Sequence, residues 1–156
     1  MKIVSSEFSS SAWDYFLLSK EIAYDNFQQN VDSENLLLAL IKKDKFANEI
    51  LKKNEVNIKE IEKILISDLE MKPKMAIKQD KLFIGETLYQ TLKRSSNLKN
   101  SLNDVVISTE HILYGLTYDK TCGNSILNTK KIPEFLEIIN KMISDTAIEN
   151  DFDSSN

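Results

Sequence analysis

Hydrophobic positions in this chain fall into blocks at helical spacing, and the blocks occur twice. From Val31 to Leu40 the sequence reads Val-Asp-Ser-Glu-Asn-Leu-Leu-Leu-Ala-Leu, and from Ile107 to Leu116 it reads Ile-Ser-Thr-Glu-His-Ile-Leu-Tyr-Gly-Leu. Each opens on a β-branched residue, passes through a short polar cap and a glutamate, and enters an apolar run. The copies lie 76 positions apart, and the offset extends outward: Phe8 matches Ile84, Ala12 Leu88, Phe16 Leu92 and Ser19 Ser95. Downstream, Asn48, Ile50, Leu51 and Val56 match Asn124, Ile126, Leu127 and Ile132. After a slip of one residue, Ile58, Ile61 and Leu65 face Phe135, Ile138 and Met142. A period this long is a multi-helix unit duplicated, longer than the common solenoid repeats.

The pattern predicts these elements in order. After a leader carrying Phe8, Ser9, Ser10 and Ser11 offer caps for a helix over about 11–25, with Ala12, Tyr15, Phe16, Ser19, Ile22 and Ala23 on one face. Trp13 lies off that stripe, as a half-buried packing residue. Residues 25–32 form a polar loop. Asp32 or Ser33 then caps a helix to about Lys43. Its Leu36, Leu37, Leu38, Leu40 and Ile41 cover most of the circumference, which marks a central, buried helix. A short helix follows over about 45–53. Asn57-Ile-Lys-Glu60 reads as a capping box opening a helix to about Glu70. Residues 71–83, with Pro73 and four lysines, read as the linker between halves.

The second half repeats the plan. Helices are predicted over about 86–99, from Ser108 or Thr109 to about Tyr118, and over about 123–128. A final helix has Pro133 in its first turn and ends near Asp145. Residues 146–156 read as a disordered acidic tail. The fold class is all-α: an eight-helix, pseudo-twofold bundle of two four-helix repeats, stacked through their leucine-rich second helices. The domain spans 1–145, with repeat one at about 8–70 and repeat two at about 84–145.

Composition narrows the function. The net charge is −4, so there is no basic field to release counterions from phosphates, which excludes nucleic acid as the main partner. The single cysteine, Cys122, excludes an internal disulfide and suits a reducing compartment. No apolar run reaches membrane-spanning length and the N-terminus lacks a signal-peptide core, so the expected location is cytoplasmic or an organelle stroma. No catalytic set is legible. His111 is the only histidine, read as a packing or capping residue without a metal-site partner. Cys122 has no base placed beside it by motif. There is no Gly-x-Ser-x-Gly elbow, and no G-x-x-x-x-G-K-[ST] run to cradle a nucleotide. No cofactor or metal is expected.

The paired motif resembles the Clp N-terminal domain. The run Ser108-Thr-Glu-His-Ile-Leu-Tyr-Gly-Leu116 is similar to that family's Ser-x-Glu-His-Leu-Leu-x-Ala-Leu. Phe8-Ser9 matches its opening, and Lys72-Pro-Lys with Leu82-Phe-Ile-Gly-Glu-Thr-Leu88 looks most like the ClpB branch. The resemblance implies a non-catalytic substrate- or adaptor-binding domain of a ClpB-like disaggregating chaperone, whose ATPase modules lie outside this chain. The alternative it implies is a stand-alone accessory protein of a Clp protease complex. Partners would be unfolded clients or adaptors, and AAA+ modules or a Clp protease core.

It also implies site residues. Ser9, Asp104 and Glu110 match positions that line a client-binding surface in ClpB-like domains, and Glu34 is the first-repeat counterpart of Glu110. Ser9 replaces the usual threonine, and Asn103 stands where glycine is common. Two readings of the glutamates stay open. A carboxylate in a first helical turn offsets the helix dipole by about 0.3–1 kcal/mol. Alternatively, the pair presents two surface carboxylates to cationic ligands. For Asp104 the other reading is a solvated loop acid.

Overall fold

Ser9 opens the first helix: its extended backbone carries a hydroxyl that accepts from Ala12 N at 3.2 Å. The computed structural model describes residues 2–122, together with Glu137 and Lys141. Among these, six α-helices follow one another: α1 (Ser10–Asp25), α2 (Ser33–Lys43), α3 (Lys45–Lys53), α4 (Ile58–Met71), α5 (Glu86–Ser101) and α6 (Thr109–Thr117). The first five meet the predicted positions within a residue or two, and α6 stops at Thr117. The helices expected over 123–128 and from Pro133 to Asp145, and the tail 146–156, lie outside the described residues, except that Glu137 and Lys141 are helical and exposed. None of the described helices is long and apolar enough to cross a membrane.

The loops hold structure that periodicity did not indicate. The expected loop of residues 25–32 ends in a short strand, β1 (Asn30–Val31), and the linker ends in another, β2 (Phe83–Ile84). These pair in parallel, Val31 opposite Ile84, and an isolated parallel bridge joins Phe8 to Ile107. Stretches of two residues carry no readable alternation, so only their backbone partners define them.

At the repeat offset these two pairings are the same pairing. Ile107 is the counterpart of Val31, and Ile84 that of Phe8. Each repeat's second helix is therefore entered through a backbone ladder to the opening strand of the other repeat. Gly85 N donates to Val31 O at 2.8 Å, and its counterpart Ser9 N donates to Ile107 O at 2.9 Å.

Residues Ser33 to Ile41 of α2 are all buried, with Leu36, Leu37 and Leu40 fully so; Ile112, Leu113 and Leu116 of α6 match them. Phe8, Trp13 and Phe16 form an aromatic cluster with centroids 5.0–6.2 Å apart, and Trp13 is half-buried as expected. The expected stacking of the halves through their second helices needs correction. α2 seats on α1 and α4 and reaches the other repeat mainly through α5; α6 seats on α5 and reaches across mainly to α3 and α1. Tight contact inside a repeat explains this. A Cβ on Gly115 would lie 2.5 Å from both Ser95 Oγ and Thr91 O, so α6 beds directly on α5.

Candidate functional site

The entry into α6 is built from three short-range devices. At the end of α5, Asp104 N donates to Lys99 O at 3.0 Å, and Asn103 takes the left-handed conformation (φ 58°) that this turn requires. That explains why glycine suits the position and why asparagine is accepted there. Ser108 then caps α6. Its side chain accepts from the backbone of the third helical residue, His111, and His111 Nδ1 accepts from Ser108 N at 2.8 Å. With Nδ1 acting as acceptor, Nε2 is the ring's donor, and it meets Asp104 Oδ2 at 2.8 Å. His111 is thus a buried capping residue that also pins the loop carboxylate.

Repeat one builds the same devices with different chemistry. Phe27, the counterpart of Asn103, has φ 56°, and Gln28 N donates to Ala23 O at 3.0 Å. Asn35 stands in for His111: its Oδ1 accepts from Asp32 N at 2.9 Å. Gln28 stands in for Asp104, and the two amides exchange hydrogen bonds of 3.0 Å. Gln28 is buried, whereas the Asp104 side chain is 41% exposed. A neutral, closed pair in one repeat is an ionisable, open pair in the other.

Three of the four expected site residues share the second junction. Ser9 is bonded to Ile107 O, Asp104 is held by His111, and Glu110 is half-buried in the first turn of α6. The Phe8–Ile107 bridge brings their segments together. Beside them Val105 is 89% exposed, and Leu102 and Val4 are exposed as well. Lys99, largely buried, reaches Glu7 Oε2 at 3.6 Å and ties α5 to the N-terminal segment.

Glu34 is not with them, and the expectation of two surface carboxylates fails there. It is buried in the first turn of α2, and its Oε2 meets the Lys72 ammonium at 2.7 Å as an ion pair, without a regularly oriented hydrogen bond. Lys72 also meets Asp32 Oδ2 at 3.0 Å. Burial alone would pull the Lys72 pKa down; the close carboxylates of Glu34 and Asp32 more than reverse this and hold it above its usual value. The linker folding back on repeat one is the physical reason for the difference between the two glutamates.

Sequence reasoning took Lys72 for a solvated linker lysine and missed its pairing with Glu34 and Asp32. It also missed His111 as the residue that positions Asp104. Applying the repeat offset to the residues on both sides of each β-branched position would have paired Gln28–Asn35 with Asp104–His111. Among the described residues no three His, Cys, Asp or Glu side chains converge to hold a metal ion. Cys122 is buried and its thiol pKa is pushed up, chiefly by desolvation.

Comparison with known proteins agrees with this construction. The family model of the Clp repeat (R) N-terminal domain matches residues 7–130. The chaperone protein ClpB of Prochlorococcus marinus is 34% identical over 137 residues, 87% of this chain and 16% of that protein. The chain thus spans about one sixth of the length of such relatives. The N-terminal domain of Hsp104 from Candida albicans superimposes with a TM-score of 0.68 at 17% identity, covering 86% of this chain and 82% of that one. The N-terminal domain of the Arabidopsis thaliana chaperone ClpD does so with a TM-score of 0.67 at 15% identity, covering 90% and 99%. On the family match and the ClpB relative together, the chain belongs to the Clp N-terminal repeat domain family.

Proposed function

We propose that this chain is the client- or adaptor-binding N-terminal domain of a ClpB-like ATP-driven disaggregase, with no catalytic step of its own. Its domain spans residues 1–145 as an eight-helix, pseudo-twofold bundle of two four-helix repeats, followed by an acidic tail. Its task is to hold unfolded segments weakly and present them to a motor located elsewhere in the polypeptide. The ATPase motor is supplied by modules beyond this sequence.

The observation that carries this reading is the second junction. There Asp104 is exposed yet pinned by a buried histidine, with a half-buried glutamate and the nearly fully exposed Val105 beside it. Apolar surface next to fixed carboxylates suits segments released from aggregates, which expose apolar and basic side chains together. Ser9 contributes by fixing the Phe8–Ile107 bridge that closes this junction.

The test is an NMR titration of the 156-residue chain with unfolded lysozyme whose cysteines are capped with iodoacetamide. Shifts are expected at Ser9, Asp104 and Glu110, fading as salt rises. An unchanged spectrum at millimolar client would overturn the assignment.

A further inference from the structure

The linker lies on repeat one at the counterpart of the proposed client surface. Its Lys72 meets Glu34, counterpart of Glu110. Three residues on, Met75 N donates to Phe27 O at 2.8 Å, and Phe27 is the counterpart of Asn103. Gln28, counterpart of Asp104, lines the same groove as Lys72, Pro73 and Met75. Further along, Lys78 lies 5.2 Å from the Tyr24 ring centroid and 5.6 Å from that of Phe27, with Asp25 Oδ1 at 3.7 Å. Phe83 N then donates to Gln29 O at 3.0 Å, and the chain enters β2. An extended basic and apolar segment is therefore seated on one of two equivalent surfaces.

The other surface has no such segment among the described residues. Asn103 and Val105 are exposed, as are their counterparts Phe27 and Gln29; the surfaces differ at Asp104, exposed where its counterpart Gln28 is buried. Residues 146–156, which follow the second repeat as the linker follows the first, contain no lysine or arginine. The carboxylate pair is kept but redistributed: Asp32 and Glu34 in repeat one, Asp104 and Glu110 in repeat two.

We infer that the linker is a built-in copy of the ligand, so that the second junction takes an extended segment with a basic residue three positions before an apolar one. The basic side chain sits on Glu110 and Asp104, as Lys72 sits on Glu34 and Asp32. The backbone N–H of the apolar residue donates to Asn103 O, as Met75 N donates to Phe27 O. Repeat one, filled by its own chain, takes no client. This reading deepens the proposed function and rests on it.

The probe is a labelled synthetic peptide copying residues 72–83, titrated into the 156-residue chain. One peptide per chain is expected, with shifts at Asn103, Asp104 and Glu110 and none at Asp32 or Glu34. It should displace unfolded lysozyme. Alanine at the Lys72 position of the peptide should weaken binding by at least about threefold, the scale of one solvent-facing ion pair. Glu110→Gln in the protein should do the same. The peptide change leaves the protein untouched, so misfolding cannot imitate the result. Equal binding by the alanine peptide, or shifts confined to repeat one, would overturn the inference. So would lysozyme bound at Ser9, Asp104 and Glu110 that the peptide fails to displace, and that outcome would leave the proposed function standing. Absence of lysozyme binding altogether would instead remove the proposed function.

Discussion

The hydroxyl of Thr109 donates to Oδ2 of Asp44, 3.2 Å away in the other repeat, while Oδ1 of that carboxylate accepts from Ala47 N at 2.7 Å and caps α3. The mirror arrangement, with a slip of one residue, is Ser33. Its Oγ donates to Asp119 Oδ2 at 2.8 Å, and Asp119 Oδ2 accepts from Cys122 N at 2.9 Å. Repeat two thus supports the α3 cap of repeat one, and Ser33 of repeat one holds the turn that Asp119 makes with Cys122. Asp44→Ala should remove a cap and orphan a buried hydroxyl, costing about 1–3 kcal/mol in urea unfolding. Thr109→Val removes only the inter-repeat bond and should cost less. Equal losses would show that the cap itself contributes little.

Leu37 and Leu113 occupy equivalent places and are both fully buried. Truncating either to alanine should cost about 2–5 kcal/mol, read from the denaturant midpoint at unchanged slope. Neither site can refill easily, because neighbouring apolar positions on the same helix are already in the core.

Gly115 offers a sharper test, since two effects oppose each other. Alanine for glycine inside a helix gains about 0.5–1 kcal/mol. Here the added Cβ would meet Thr91 O, a backbone atom, at 2.5 Å. Overpacking of that kind costs about 1–3 kcal/mol, so Gly115→Ala should be destabilising. Its first-repeat counterpart is Ala39, which is accommodated, so the α5–α6 approach is specific to repeat two. A raised melting temperature for Gly115→Ala would contradict the close approach.

The positions of the six described helices were legible because burial imposes a period. Leu36, Leu37 and Leu40 announce a central helix by leaving it no polar face. Glu34 and Glu110 were legible as equivalent places, but not as different environments. Nothing local distinguishes a glutamate that meets a lysine arriving from 38 positions downstream, in a linker that reads as solvated. The strands were invisible for a related reason: Val31–Ile84 and Phe8–Ile107 are defined by backbone partners far away in sequence. His111 was legible as a capping residue, and only the fold brings Asp104 to its other nitrogen.

Four groups set the alkaline limit: burial raises the Cys122 thiol and the Tyr114 hydroxyl, and Tyr15 and Lys72 add to them. Desolvation, then the hydrogen bond and charge of Asp44 and the charge of Asp14, raise the Tyr15 hydroxyl from 10.0 to about 12. Lys72 is also raised, by Glu34 and Asp32 acting against its burial. A group with a higher pKa in the folded than in the unfolded state favours folding while protonated. The Tyr15 and Lys72 contributions are therefore complete below about pH 10, where these groups begin to titrate in the unfolded chain, and vanish as pH rises through the folded values. Urea midpoints should hold to about pH 9, where the unfolded cysteine begins to titrate, and then fall. Tyr15→Phe should flatten part of that fall. A midpoint that rises between pH 10 and 12 would contradict the assigned environments.

Asn35 does for α2 what His111 does for α6, and this allows the two tasks of His111 to be separated. Asn35 Oδ1 accepts from the capping residue's N–H, as His111 Nδ1 does. His111→Asn can retain that bond but is too short to reach Asp104. His111→Ala loses both. The alanine variant should cost about 0.5–2 kcal/mol more than the asparagine variant in chemical denaturation, the usual value of a cap. Both should release Asp104, so both should weaken binding of an unfolded basic client by a similar factor. If His111→Asn binds client as tightly as the parent chain, pinning of Asp104 has no part in recognition, and the histidine serves the helix alone.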